Sequence, residues 1–303
     1  MIETFANGRV RSWASVLDDV TRKQAEKLAE LKIITEPIAL MPDAHLGHGA
    51  TIGSVIVTEN AVIPMAVGVD IGCGMAARKL NIKSVDLDKN VASRWVLKCG
   101  VTIPAGLGNW YANAMSEAGE WMAANGLPAR LDRTGAFIKA VNQLGTLGSG
   151  NHFIELAVDD EDFVWLLLHS GSRGSGNVLA QIHAKVALEL HEKDVPLAEN
   201  GKPERDLAWL DSGTDEFELY LADLNWSQNY ALENRRLILT QAHHAFDEVS
   251  GAVEIVEEIN CHHNYAQFEP VREVGDYRFV TRKGAISAAK GARGLIPDRK
   301  SVV

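Results

Sequence analysis

The sequence predicts an α+β fold, and three observations carry that expectation. Residues 18–33 place Val20, Ala25, Leu28 and Leu31 at helical spacing with charges between them, the pattern of an amphipathic helix lying on a core. Residues 38–75 are instead rich in Val, Ile and Gly, with Ile52, Val55 and Val57 leading into 62–69, which predicts short buried strands broken by tight turns. Residues 217–246 then predict one long helix.

The other elements follow in order. Residues 163–168 are a continuous apolar run that stops at His169, as a buried strand would. After Gly-Ser-Arg-Gly-Ser-Gly the pattern turns helical over 177–192, so those glycines are expected in a loop that offers backbone N–H groups to an anion. Residues 193–216 carry Pro196, Gly201, Pro203 and Gly213 among many charges and read as a surface excursion. Residues 253–258 and 277–281 read as strands on either side of a His-His pair. No repeat, coiled-coil register or linker divides the chain, so a single domain is expected over 1–303.

At 303 residues and 46% hydrophobic content the chain can bury a substantial core. No apolar run is long enough to cross a bilayer and the first residues lack a secretory pattern, so a cytoplasmic location without membrane association is expected. Three cysteines, Cys73, Cys99 and Cys261, are an odd number without framework spacing, which disfavours disulfides and permits a thiolate ligand. The net charge of -10 argues against a surface coated for nucleic-acid binding. Residues 281–300 nevertheless hold six basic side chains (Arg282, Lys283, Lys290, Arg293, Arg299, Lys300) against Asp298 alone, so a phosphate-rich ligand could be met locally.

Four distant segments carry metal-binding groups: Gly-Val-Asp70-Ile-Gly-Cys73-Gly, Gly-Ser-Gly-Asn151-His152-Phe, His169-Ser-Gly-Ser-Arg173 and Cys-His262-His263-Asn264. Glycines beside Cys73 let the backbone turn so that Asp70 and Cys73 face one point, and a thiolate can bridge two cations where an imidazole cannot. Each His taken alone is equally a hydrogen-bonded core or turn residue, and the coincidence of four segments is what favours a two-metal site. Arg173, with Ser170 and Ser172, suits a phosphate because a guanidinium offers a bidentate fork. His262 and His263 are adjacent, so on a strand only one would reach a given metal. His183, His191, His243 and His244 fall on predicted helices and read as structural or solvated; Asp43 and His45 could be supporting partners or substrate contacts.

Six ordered segments resemble one family. Met-Pro-Asp43-Ala-His45-Leu-Gly, Gly-Val-Asp70-Ile-Gly-Cys73-Gly-Met, Gly-Thr-Leu-Gly-Ser-Gly-Asn151-His152-Phe153-Ile154-Glu155, His169-Ser-Gly-Ser-Arg173-Gly, Asn-Cys-His-His263-Asn264-Tyr and Thr-Arg282-Lys283-Gly-Ala look like the successive signatures of the RtcB-type RNA-splicing ligases. The resemblance implies an RtcB-like fold of mixed and antiparallel sheets with packed helices. It also implies a GTP- and Mn(II)-dependent ligase joining an RNA 3'-phosphate or 2',3'-cyclic phosphate end to a 5'-hydroxyl end, in tRNA splicing or RNA repair. Carried over by position, Asp70, Cys73 and His152 would hold one Mn(II), and Cys73, His169 and His263 the other. Asn151, His152, Phe153, Ile154, Glu155, His263 and Asn264 would line the guanylate site, with Arg173 and Lys283 near phosphates. RNA ends are the partners it implies, with room for an accessory activator protein.

One departure stands out. The family continues to a His-Gly-Ala-Gly-Arg motif whose histidine is guanylylated, whereas here Leu295-Ile296-Pro297 is followed by Asp298 and the sequence stops at Val303. His243 and His244 lie upstream and are no positional substitute. The expectation is a C-terminally truncated or frame-shifted copy, inactive as written for want of its nucleophile and exposing apolar surface beneath the absent strands. A two-metal phosphoesterase, or a non-catalytic metal- or RNA-binding relative, is the alternative.

Overall fold

The computed structural model describes residues 2–132, 137–198, 200–271 and 276–296. The expected departure from family sequence at 298–303, with Arg299 and Lys300 of the basic stretch, lies outside the described residues.

In chain order the elements are β1 (Glu3–Phe5), β2 (Val10–Ser12), α1 (Asp19–Ala29), β3 (Ile38–His45), β4 (Ile52–Thr58), β5 (Ala61–Val62), α2 (Pro64–Val67), β6 (Gly74–Lys83), α3 (Val91–Thr102), α4 (Ser116–Asn125), α5 (Ala129–Asp132) and α6 (Phe137–Gln143). Then come β7 (Phe153–Val158), β8 (Phe163–Ser170), α7 (Arg173–His191), β9 (Leu210–Asp211), α8 (Asp215–Ser250), β10 (Ile255–His262), β11 (Asn264–Pro270) and β12 (Tyr277–Lys283). Mixed and antiparallel sheets with packed helices are therefore present, as expected. The chain forms two compact units, Met1–Ile71, Gly176–Ser227 and His263–Ala285 in one, and Gly72–Ser175, Gln228–His262 and Ile286–Val303 in the other.

The first unit is built on a six-stranded sheet of order β1-β2-β3-β4-β12-β11, mixed because β2 and β3 run parallel while the other neighbours are antiparallel. Helix α1 begins where Asp18 accepts a hydrogen bond from Thr21 N at 2.7 Å, satisfying one of the orphan donors of the first turn. Its packed side is Thr21, Ala25, Leu28 and Ala29, which meets Ile38, Leu40 and Ile56. Ala25, Leu28 and Leu31 are buried as expected, whereas Val20 is 59% exposed and Thr21 takes the packed place beside it. Residues 62–69, expected to extend as strand, instead fold into α2 after β5, because Pro64 at the helix start supplies a preset φ and lacks only an N–H that would be unpaired there. A second cluster joins Val62, Val67, Ile71, Leu210, Phe217, Tyr220 and Leu224. The 193–216 excursion contributes β9, which pairs with β5.

The second unit carries a four-stranded antiparallel sheet of order β10-β6-β8-β7. Strand alternation sends Ala76, Leu80, Val164, Leu166 and Leu168 into a core with Trp95 and Cys99 of α3 and Ile238, Ala242 and Phe246 of α8. Trp95, 1% exposed, donates from its indole N–H to Ala242 O at 2.8 Å, so its one polar atom is satisfied. Helix α7 starts at Arg173, so part of the glycine-rich stretch expected as loop is already helical.

The antiparallel order has one consequence for function. Strands β6 and β7 begin where β8 and β10 end: Gly74 lies opposite both Ser170 and His262, and Phe153 lies opposite His169. Cys73, His152, His169 and His262, far apart in sequence, are thereby delivered to one end of one sheet.

Candidate metal centre

At that end of the sheet Cys73 and His169 are buried, each 4% exposed. Cys73 Sγ lies 3.5 Å from His152 Nε2 and 3.2 Å from His169 Nε2, and the two imidazoles meet edge to face with centroids 5.2 Å apart. His152 Nδ1 lies 2.9 Å from Leu147 O and His169 Nδ1 3.0 Å from Asn151 O. A carbonyl can only accept, so Nδ1 carries the proton in both rings and Nε2 presents its lone pair toward the sulfur. Imidazoles whose far nitrogen is held by a carbonyl are oriented as metal ligands commonly are.

Two sets of three ligand atoms each lie within 4.8 Å of one another: Asp70, Cys73 and His152, and Cys73, His169 and His263. Asp70 is three residues before Cys73 in the same turn, and His263 follows His262 directly. Cys73 is common to both sets. One carboxylate oxygen, one sulfur and imidazole nitrogens fit one or two divalent transition cations sharing the thiolate, whereas a magnesium or calcium site would be built from oxygens.

Backbone freedom makes this packing possible. Gly72 has φ +73°, and a Cβ there would lie 2.9 Å from Ala231 Cβ and 3.0 Å from Gln228 Cα. A Cβ on Gly74 would strike the Cys261 carbonyl. The glycines flanking the thiol thus admit the close approach of α8 and β10.

Of the other residues singled out in the sequence, Asn264 accepts from Gly284 N at 2.9 Å and reaches Asp70 O at 3.4 Å through its amide nitrogen. Lys283 is 5% exposed and donates to His48 O and to Met65 O, the latter at 3.2 Å. Burial pushes its ammonium down to about 8 from the usual lysine value, partly opposed by the Asp206 carboxylate. Arg173 donates from Nε to Thr146 Oγ1 at 3.3 Å, within the glycine-rich loop that precedes His152. Phe153 packs its ring 5.7 Å from that of His169, Ile154 turns its side chain into the core, and Asn151 and Glu155 are exposed.

His262 does not join the ligand sets. Its Nδ1 lies 2.9 Å from Gly72 O and 3.1 Å from Arg235 Nη2, and burial, reinforced by the Arg235 charge, pushes the ring down to about 4. His183 is fully buried against Asp223 at 2.7 Å, His191 stacks on Trp209 at 4.2 Å, and His243 Nε2 reaches Val253 O at 2.9 Å, all structural settings. Asp43 O and His45 Nδ1 are 2.7 Å apart on β3. Sequence reading missed Asn234 and Arg235, which are 0% exposed; they stand in the polar run Glu233-Asn234-Arg235-Arg236 of α8, which reads locally as a solvated face and gives no signal of burial.

No helix among the described residues is long and apolar enough to cross a membrane. Residues 24–301 match the family model described as tRNA-splicing ligase RtcB. The chain is 37% identical to the RNA-splicing ligase RtcB of Escherichia coli K12, covering 97% of this chain and 75% of that protein. It is 29% identical to the tRNA-splicing ligase RtcB of Archaeoglobus fulgidus, over 95% of this chain and 69% of the relative. It is 28% identical to RNA-splicing ligase RtcB homolog 1 of Entamoeba histolytica, over 91% and 61% respectively. With the ligand segments falling inside the matched region, this chain belongs to the RtcB family of tRNA-splicing ligases.

Proposed function

We propose that this protein serves GTP- and Mn(II)-dependent joining of RNA 3'-phosphate or 2',3'-cyclic phosphate ends to 5'-hydroxyl ends, a reading supported by relatives that are named RNA-splicing and tRNA-splicing ligases. The observation that carries this is the thiol of Cys73 set between two imidazoles whose Nε2 atoms face it at 3.5 and 3.2 Å. Asp70, Cys73 and His152 would hold one Mn(II), and Cys73, His169 and His263 the other. Two divalent cations, when bound, offset the charge that gathers on a transferring phosphoryl group.

The protein's own groups do the rest. His152 and His169 keep fixed tautomers, so no rotation of either ring is needed before a cation or phosphate arrives. Asn151, His152, Phe153, Glu155, His263 and Asn264 line the guanylate site, with Ile154 behind them in the core, and the Glu155 carboxylate accepts N–H donors of the guanine edge. Arg173 and Lys283 supply fixed positive charge to phosphates. An accessory activator protein is a further partner in this proposal, and three free cysteines suit a reducing cytoplasm.

Binding measurements on the 303-residue chain test it. The expected result is close to two Mn(II) per chain, GTP affinity that appears only with Mn(II), and loss of both in Cys73→Ala. Metal stoichiometry near zero would refute it. Metal-dependent hydrolysis of a 2',3'-cyclic phosphate by a chain indifferent to GTP would identify a phosphoesterase instead.

A further inference from the structure

Asn234 and Arg235 are neighbours on α8, both wholly buried in the second unit. Arg235 donates from Nε to Asn260 Oδ1 at 2.7 Å, and from Nη1 to Gly72 O at 2.7 Å and Ser170 O at 3.0 Å. Its Nη2 lies 3.1 Å from His262 Nδ1, itself 2.9 Å from Gly72 O, so that nitrogen either accepts from the guanidinium or donates to the carbonyl, and each tautomer ties the ring to one of the two. Gly72 precedes Cys73, Ser170 follows His169, and His262 precedes His263. One guanidinium therefore grips the backbone or ring adjoining three ligands that the sequence spreads over 190 positions.

Asn234 secures the remaining one. Its Oδ1 accepts from Gly145 N at 2.8 Å, and its Nδ2 faces Thr146 O at 3.3 Å, Ser170 Oγ at 3.1 Å and Gly171 O at 3.1 Å. Ser170 Oγ donates in turn to Leu147 O at 2.8 Å, the carbonyl that holds His152 Nδ1. Burying a guanidinium is costly, and an apolar side chain at 235 would suit the neighbouring core better if packing were its only purpose.

We propose that Asn234 and Arg235 are the positioning residues of the metal centre, and that they set the separation of Cys73, His152, His169 and His263 before any cation binds. This rests on the metal-binding reading given under Proposed function. A planar fork with donors in fixed directions is required at 235, because three segments are held from different sides at once. Lysine keeps the charge and loses that geometry.

Co(II) alone is the probe, since its bond to a thiolate gives an ultraviolet charge-transfer band that reports the sulfur directly. In Arg235→Lys and Asn234→Ser, the Co(II) dissociation constant should rise about 10–100-fold, with a weakened or shifted band, while circular dichroism shows a folded chain. A folded variant with a lowered melting temperature but unchanged Co(II) affinity and band would overturn the proposal, because a merely structural role predicts that result. If Arg235→Lys does not fold, Asn260→Ala removes the anchor at Nε, together with the Asn260 amide's own bond to Leu232 O, and a weakening of about 10-fold is expected. Unchanged affinity there overturns it equally. A parent chain without a Co(II)–thiolate band refutes the metal reading instead. The positioning claim is then decided in the metal-free protein by the alkylation rate of Cys73, expected to rise several-fold in Arg235→Lys as the turn loosens; an unaltered rate sinks it.

Discussion

Gly148 lies so close to the guanidinium of Arg173 that a Cβ at position 148 would fall inside it. Gly148 adopts φ +96° and Arg173 itself φ +58°, a left-handed conformation that a non-glycine residue holds only at some cost. The glycine-rich loop thus serves as the bed for an arginine, and this pairing leads to the first prediction. Gly148→Ala should destabilise the fold by about 1–3 kcal/mol through backbone strain and, by displacing Arg173, should weaken GTP binding as much as Arg173→Ala does. Urea denaturation together with GTP titration of both variants checks it. Intact GTP affinity in a folded Gly148→Ala chain would show that Arg173 does not act on the phosphates.

Metal removal should be visible as lost stability. A cation binding only the folded chain at a hundredfold excess over its dissociation constant adds about 2.7 kcal/mol. Mn(II) should therefore raise the melting temperature of the parent chain and leave that of Cys73→Ala unmoved. The effect should fade as pH falls, because protons compete for the same thiolate and imidazole lone pairs. Equal Mn(II) stabilisation of both chains would remove Cys73 from the ligand set.

Lys283 gives stability a pH dependence of definite sign. Its folded-state value is pushed down to about 8, below that of the unfolded chain. Between the two values the unfolded chain holds a proton the folded chain has released, so stability rises with pH through this window. Below it the buried ammonium imposes a penalty of roughly 3 kcal/mol. Lys283→Met should be more stable than the parent at pH 7 and should lack the parent's rise between pH 8 and 10. Parallel urea midpoints for the two chains across that range would contradict the shifted lysine.

His183 supports the first unit alone. It is fully buried beside Asp223, and its ring meets Tyr220 edge to face with centroids 5.0 Å apart. His183→Ala should cost about 3 kcal/mol by leaving a cavity and stripping a buried carboxylate of its partner. Mn(II) stoichiometry of the folded fraction should stay at the parent value. A proportionate loss of metal would make this histidine part of the centre after all.

The sequence by itself determined what depends on local chemistry and period. Helix α1 with its Asp18 cap, the long α8, the strand ending near His169 and the glycines flanking Cys73 are all written in spacing and residue type. Six segments in fixed order were enough to name the family, because its motifs are long and contiguous. Elsewhere local pattern misled. Pro64 turned an apolar run into α2, and Val20 faces solvent while Thr21 is buried, because packing against the sheet set the helix rotation rather than hydropathy.

Only the tertiary structure decided which histidine of the His262–His263 pair stays out of the ligand sets, since that choice follows from the Arg235 guanidinium and the Gly72 carbonyl holding His262. It alone also revealed Asn234 and Arg235. Antiparallel pairing of β6 with β8 and β10, between partners eighty or more positions apart, is what gathers the strand ends at one edge of the sheet. Such long-range hydrogen bonding leaves no periodic trace in a single chain, so candidate ligand groups could be picked out from the sequence and the scaffold that spaces them could not.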